Sequence, residues 1–234
     1  MRERPIIAID GPAGAGKSTV SRRVADALGF VLLDTGALYR AVALAAQRGK
    51  VSVDDAARSG ALAEDLARRG AIRLEPNRVT LDGEDVSRAI RTPEVGMDAS
   101  TVSAHPAVRK ALLDMQRQAG TRGGIVAEGR DIGTVVFPDA EYKFFLTASR
   151  EVRAKRRYEE LVAKWGVAGS AAGGTAQRPM PTLEETLEDV KRRDAQDEGR
   201  AVAPLKPAAD AMMLDSSEMP IDEVVERILA RVRA

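Results

Sequence analysis

The chain has no cysteine, one histidine and only eight aromatic residues (three Tyr, four Phe, one Trp) among 234. Without cysteine there is no disulfide, no thiolate metal site and no sulfur nucleophile. A single histidine excludes a histidine cluster as a metal site and argues against histidine-based catalysis; His105, set before Pro106 at a helix junction, is expected to cap or simply to lie exposed. Aromatics this scarce cannot build an extended base-stacking surface. Charge of one sign is also lacking, because 36 basic side chains nearly cancel 35 acidic ones. A net charge of +1 draws in neither nucleic acid nor a membrane surface, so any positive site must come from local arrangement. No run of about 18 apolar residues is long enough for a membrane helix, and Met1-Arg2-Glu3-Arg4-Pro5 shows no export-signal pattern. These absences fit a cytoplasmic protein with no nucleic-acid or membrane partner; we expect a monomer.

What the sequence does have is glycine in one telling place. The apolar run Ile6 to Ile9 reads as a strand buried on both faces and stops at Asp10. The next residues, Gly11, Pro12, Ala13, Gly14, Ala15, Gly16, Lys17, Ser18 and Thr19, fit G-x-x-x-x-G-K-[ST] at every fixed position and open a helix. Glycine is needed there because a loop free of Cβ atoms wraps tightly enough for several backbone N–H groups to converge on one phosphate. The helix N-terminus adds its positive end, Lys17 adds a cation to reach the β- and γ-phosphates, and the Ser18 hydroxyl is placed to ligand Mg²⁺. The stretch therefore predicts a nucleoside triphosphate site.

The remaining pattern is α/β. Helical spacing runs from Ser18 to Leu28 and closes at Gly29; Phe30 to Leu33 is a second short strand ending at Asp34. Thr35-Gly36 opens a helix carrying Tyr39 and Arg40, which lie beside the phosphate loop if ligands sit at strand carboxyl ends; both also fit an ordinary helix surface. Residues 52 to 69 read as one or two amphipathic helices, with Ser52 and Asp55 as a capping pair. The period then changes to short alternating runs, Ile72 to Leu74, Val79 to Leu81 and Asp85-Val86, the last two joined by the hairpin signal Asp82-Gly83. This predicts a small antiparallel insert, which shapes a site for a second substrate. Thr92-Pro93 starts a helix to about Ala104, and another runs from about Ala107 to Ala119. Gly124 to Ala127 is the next buried strand; it ends in Glu128-Gly129-Arg130-Asp131, charges that read either as cleft residues or as a structural ion pair. Strands over Tyr142 to Thr147 and Asp210 to Asp215 follow, with a closing helix over Ile221 to Val232. Arg153, Arg156 and Arg157 share one helix side, where like charges repel unless an anion visits. Residues 166 to 181 are rich in glycine and alanine and read as a linker, leading to a charged helix capped by Thr182; the two helices and the loop together read as a mobile flap.

Four segments in this order resemble the bacterial cytidylate kinases, a family of nucleoside monophosphate kinases. They are the phosphate loop, Leu33 to Arg40, Glu128 to Asp139, and Arg193-Asp194 with Arg200 to Leu205. The resemblance implies a P-loop NTPase fold: a single kinase domain over 1–234 with a five-stranded parallel sheet, a monophosphate-binding insert over 35–104 and a helical lid over 150–198. It implies phosphoryl transfer from ATP with Mg²⁺ to CMP or dCMP, with Lys17, Arg130 and Asp131 as catalytic residues. Residues 11 to 19 with Arg156 and Arg157 would bind ATP. Arg40, Arg130 and Arg200 would hold the acceptor phosphate, Ser100, Arg109 and Asp131 the cytosine, and Asp197 with Arg193 the sugar, with Thr35 and Tyr39 completing the acceptor site. The chain departs from the family pattern in a longer loop at 166–181 and in Glu128, where some relatives carry Asp. The competing readings are another small-molecule kinase (UMP, AMP or shikimate type) and a nucleotide switch, for which an Asn-Lys-x-Asp segment is lacking.

Overall fold

In the computed structural model, which describes residues 2–75, 78–168 and 180–233, β1 (Ile6–Asp10) is buried along its whole length. It pairs in parallel with β6 (Ile125–Gly129) on one side and β7 (Tyr142–Thr147) on the other. Adding β2 (Val31–Asp34) and β8 (Met212–Asp215) gives a five-stranded parallel sheet in the order β2-β6-β1-β7-β8. The register sets Asp10 opposite Gly129 and Asp34 opposite Glu128. Three strands thus deliver their charged ends to one edge, the carboxyl edge where α/β sheets hold ligands.

One face of the sheet is covered by α1 (Lys17–Leu28) and α8 (Ile221–Arg233) through Val20, Val24, Val224 and Ile228. Gly29 ends α1 in the left-handed conformation (φ 61°), its N–H reaching the Ala25 and Asp26 carbonyls. On the opposite face Ile6, Ala8, Leu33, Ile125 and Ala127 pack against Ile132, Val136 and Phe137. A separate apolar cluster joins α2 (Thr35–Arg48), α3 (Ala56–Arg68), α4 (Pro93–Ala104) and α5 (Pro106–Ala119) to the three-stranded antiparallel sheet of β3 (Ile72–Glu75), β4 (Arg78–Leu81) and β5 (Glu84–Asp85). Asp82 and Gly83 turn the β4–β5 hairpin at φ 52° and 83°, as the Asp-Gly pair predicts. Helix α6 (Arg150–Ala168) packs on α7 (Leu183–Glu198), whose N-terminus carries a capping box between Thr182 and Glu185.

Four local expectations change. Asp55 is itself the N-cap of α3, accepting from Arg58 N at 3.0 Å, so Ser52 lies outside the helix and contributes only its carbonyl. His105 holds the C-cap position of α4, its N–H reaching the Val102 carbonyl, and the N-cap position of α5, but its side chain does not cap: its Nε2 is 2.7 Å from the Val53 carbonyl oxygen, tying the α4–α5 junction to the loop before α3. Residues Ile132–Val136, for which no element was expected, form a π-helical turn. Of the 166–181 stretch expected as a linker, residues 166–168 instead continue α6, and 169–179 lie outside the described residues.

Candidate active site

The phosphate loop leaves β1 through Gly11, at φ 148°, where a Cβ would stand 1.9 Å from the Leu146 carbonyl oxygen. Gly14 and Gly16 are both left-handed, and Gly14 leaves room for Arg153, whose Cβ is 3.1 Å from where a Cβ of its own would be. Gly16 caps α1 without any side-chain hydrogen bond, so the first N–H groups of the helix remain available to an anion. Lys17 is buried, and its Nζ donates to the Pro12 carbonyl at 2.7 Å. Burial, seconded by the like charge of Arg130, pushes its ammonium down to about 7. Ser18 Oγ donates to Glu128 Oε2 at 3.0 Å. Burial, with the like charge of Asp34, pushes the Glu128 carboxyl up to about 7, and its Oε1 has no hydrogen-bond partner.

This loop forms one wall of a cavity of about 660 Å³. The same cavity is lined by Arg40, Arg130 and Arg200, each beside an acid. Asp197 accepts from Arg130 Nε at 2.8 Å and also pairs with Arg200, whose Nη2 donates to Ser103 Oγ at 2.9 Å. Burial works against the Asp197 carboxylate, but the two guanidinium groups prevail and hold its pKa below the usual range. Asp34 caps α2, accepting from Ala37 N at 3.1 Å; it also accepts from Arg91 at 2.6 Å and lies 3.7 Å from Arg40. Arg40 Nη1 and Arg200 Nε are buried with no hydrogen-bond partner. Burial lowers the pKa of both arginines, so an anion arriving here would stabilise their charged forms.

Asp131 and Arg109, which also line the cavity, pair with each other and are both nearly enclosed. The Arg109 guanidinium lies 5.5 Å from the centroid of the buried Tyr39 ring. Ser100 Oγ donates to the Gly96 carbonyl at 3.4 Å, and Thr35 Oγ1 to the Glu128 carbonyl at 2.7 Å. On α7, Arg193 pairs with Asp189 at 2.9 Å; on α6, Arg156 donates to the Ser216 carbonyl at 2.6 Å and Arg157 reaches Glu160 at 3.3 Å.

Of the expected site residues, Ala13 to Thr19, Thr35, Tyr39, Arg40, Ser100, Arg109, Arg130, Asp131, Arg156, Arg157, Arg193, Asp197 and Arg200 all line this cavity. Gly11 and Pro12 do not line it: the first shapes the loop and the second supplies the carbonyl that holds Lys17. The idea of Arg153, Arg156 and Arg157 as one anion-seeking face needs correction. Arg153 is buried and spent on Asp194, with bonds of 2.9 and 2.7 Å, and on the Ala148 and Ala13 carbonyls. Its partner lies 41 residues away on α7, which helical spacing cannot show. Arg91 and Asp189 also line the cavity and were not anticipated; an arginine before a helix start carries no signal of its own.

Among the described residues no group of three or more His, Cys, Asp or Glu side chains could hold a metal ion alone. The donors available near the phosphate loop, the Ser18 hydroxyl and the spare Glu128 oxygen, are hard oxygens. They suit Mg²⁺ shared with substrate phosphates and water, not a closed protein cage.

A family model described as Cytidylate kinase matches residues 7–234. A protein named cytidylate kinase from Geobacter sp. (strain M21) is 53% identical, the match spanning 94% of this chain and 89% of the relative. Another of that name, from Citrifermentans bemidjiense, is 51% identical over 97% of this chain and 92% of its own. Among solved structures, an uncharacterised protein from Eubacterium ventriosum covers 99% of both chains at a TM-score of 0.52 and 12% identity, a likeness of fold alone.

Proposed function

Because this chain belongs to the cytidylate kinase family, we infer that its cleft transfers the γ-phosphoryl group of ATP to CMP or dCMP, giving ADP and CDP or dCDP. The observation that carries this reading is the meeting of Arg40, Arg130 and Arg200 with Lys17 around one cavity, although they come from four separated stretches of chain. Joining a triphosphate to a monophosphate brings two polyanions together, and the transfer asks for in-line placement more than for a strong base. Lys17 and the α1 N-terminus meet the donor phosphates, while the three arginines meet the acceptor phosphate. Arg156 and Arg157 lie on the donor side. Ser18 and Glu128 would hold Mg²⁺, which would supply charge neutralisation to the transferring phosphate group. The low pKa of Lys17 suits this task, since a cation short of partners gains most when a phosphate arrives.

The acceptor base sits at Asp131, Arg109 and Ser100 in this reading. Cytosine offers an exocyclic amine to a carboxylate and two acceptors, O2 and N3, to guanidinium and hydroxyl donors. Asp197 and Arg193 take the sugar, with Thr35 and Tyr39 behind. Residues 35–104 serve as the acceptor-binding insert and 150–198 as the lid, whose closure would exclude water that could otherwise accept the phosphoryl group. A panel of acceptors with ATP, comprising CMP, dCMP, UMP, AMP and shikimate, tests the assignment. CMP or dCMP should give the highest kcat/KM; faster turnover of UMP, AMP or shikimate would overturn it.

A further inference from the structure

Asp10 is buried at the end of β1, outside the cavity lining, yet it joins the two halves of the site. Along the chain it is bonded to Gly11, the first residue of the phosphate loop. Through space, its Oδ1 accepts from Ile132 N and its Oδ2 from Gly133 N, both at 2.7 Å. These are the first two residues after Asp131. The peptide joining Asp131 to Ile132 is therefore gripped on both sides. Its N–H goes to Asp10, while its carbonyl accepts from Val135 N at 2.9 Å and Val136 N at 3.1 Å. At its far end the π-helical turn is pinned by Arg117, which donates to the Val135 carbonyl at 2.9 Å and the Val136 carbonyl at 3.2 Å. Asp131 itself has an uncommon backbone conformation, φ −146° and ψ 26°, which these bonds hold in place. Rotation about that backbone would swing the Asp131 carboxylate away from Arg109.

We propose that Asp10 is a positioning residue for acceptor recognition: its carboxylate fixes the backbone that aims Asp131 into the cleft, at a set distance from the phosphate loop. This rests on the reading that Asp131 contacts the acceptor base. Charge-assisted bonds from two adjacent N–H groups to one carboxylate make a stiffer brace than neutral ones. An asparagine would be a poor substitute, because its NH₂ would confront one of the two N–H groups.

The test is a cycle of wild type, Asp10→Asn, Asp131→Asn and the double variant, read as KM for CMP, KM for ATP and the preference for CMP over UMP. Asp10→Asn should raise KM for CMP about tenfold, the scale of one lost charge-assisted bond, and narrow the CMP preference while KM for ATP stays within about twofold. The double variant should be no worse than Asp131→Asn alone, since Asp10 acts through Asp131. A merely structural role would lower thermal stability without narrowing the base preference. If Asp131→Asn has no effect, the base assignment fails and the proposal with it. If Asp131→Asn is harmful but Asp10→Asn is harmless, or if the two effects add, the proposal alone fails. Should Asp10→Asn not fold, amide exchange in the wild-type enzyme decides: the Ile132 and Gly133 N–H groups should be protected as strongly as those of β1, and fast exchange would refute the brace.

Discussion

Replacing Asp194 with Ala should destabilise the fold far more than removing an ordinary charge. Its carboxylate receives two guanidinium bonds from Arg153, and both side chains are only 4% exposed. Arg153 spends its remaining donors on two carbonyls, Ala148 at 2.9 Å and Ala13 at 3.1 Å, which satisfy geometry but do not neutralise charge. Without Asp194 a full positive charge would be left buried, and breaking such a pair from one side costs about 3–5 kcal/mol. For a chain of this size that corresponds to a fall in Tm of about 6–20 °C. Arg150, which also reaches Asp194, is half exposed and adds little. Urea unfolding followed by far-UV circular dichroism measures the loss. The paired replacement Arg153→Met with Asp194→Leu should recover most of it, because the buried charge goes as well. KM for ATP should also rise in Asp194→Ala, since Arg153 would no longer hold Ala13 of the phosphate loop. A destabilisation under about 1 kcal/mol would show that water reaches the pair, and the argument from burial would be wrong.

Lys17→Ala should cut kcat by about 10² or more, the scale of losing one transition-state electrostatic donor, without lowering Tm, because folding disfavours the Lys17 cation; CMP turnover at the wild-type rate would refute the role. Gly11→Ala should abolish ATP binding in calorimetric titration, since its Cβ would fall 1.9 Å from the Leu146 carbonyl oxygen at a φ that L-residues rarely adopt; wild-type affinity would contradict the loop geometry. Asp131→Ala should impair CMP use more than ATP binding, and equal loss of both would assign it a structural role. Burial raises Asp10 from 3.8 to about 6, so its contribution to stability is fully present below about pH 3.8 and is lost as pH rises through about 6. The stability of wild type relative to Asp10→Asn, from urea titrations at intervals of pH, should therefore fall across that window; a difference independent of pH would refute the shift.

The elements that carry a local pattern were legible in the sequence. Thr92-Pro93 announced α4, Thr182 announced α7, and Asp82-Gly83 announced its hairpin, because in each case the bonds involved close within a few residues. The phosphate loop was legible for the same reason. The π-helical turn at Ile132–Val136 was not, since it depends on Asp10 and Arg117, at separations of more than 100 and about 18 residues. Arg153 shows the same limit: helical spacing set it beside Arg156 and Arg157, but its charge is answered from α7. That His105 stands at a helix junction was legible because Pro106 follows it; only the fold brings the Val53 carbonyl to its ring.

Every arginine proposed to hold the acceptor phosphate stands beside an acid before any substrate arrives: Arg40 beside Asp34, Arg130 and Arg200 on Asp197. Sequence alone reveals the arginines as candidates but not this pairing, and the pairing changes what binding means. Three bare guanidinium groups around one cavity would repel one another and grip an anion so tightly that release of product would suffer. Paired, the three share two carboxylates, so much of their mutual repulsion is offset while a net positive charge remains, and Arg40 Nη1 and Arg200 Nε are unbonded. An incoming phosphate can therefore be added to the network without first displacing Asp34 or Asp197. Binding of substrate then stays modest, and the positive field is best used when charge is shared across donor and acceptor oxygens in the transition state, which is where an enzyme gains rate.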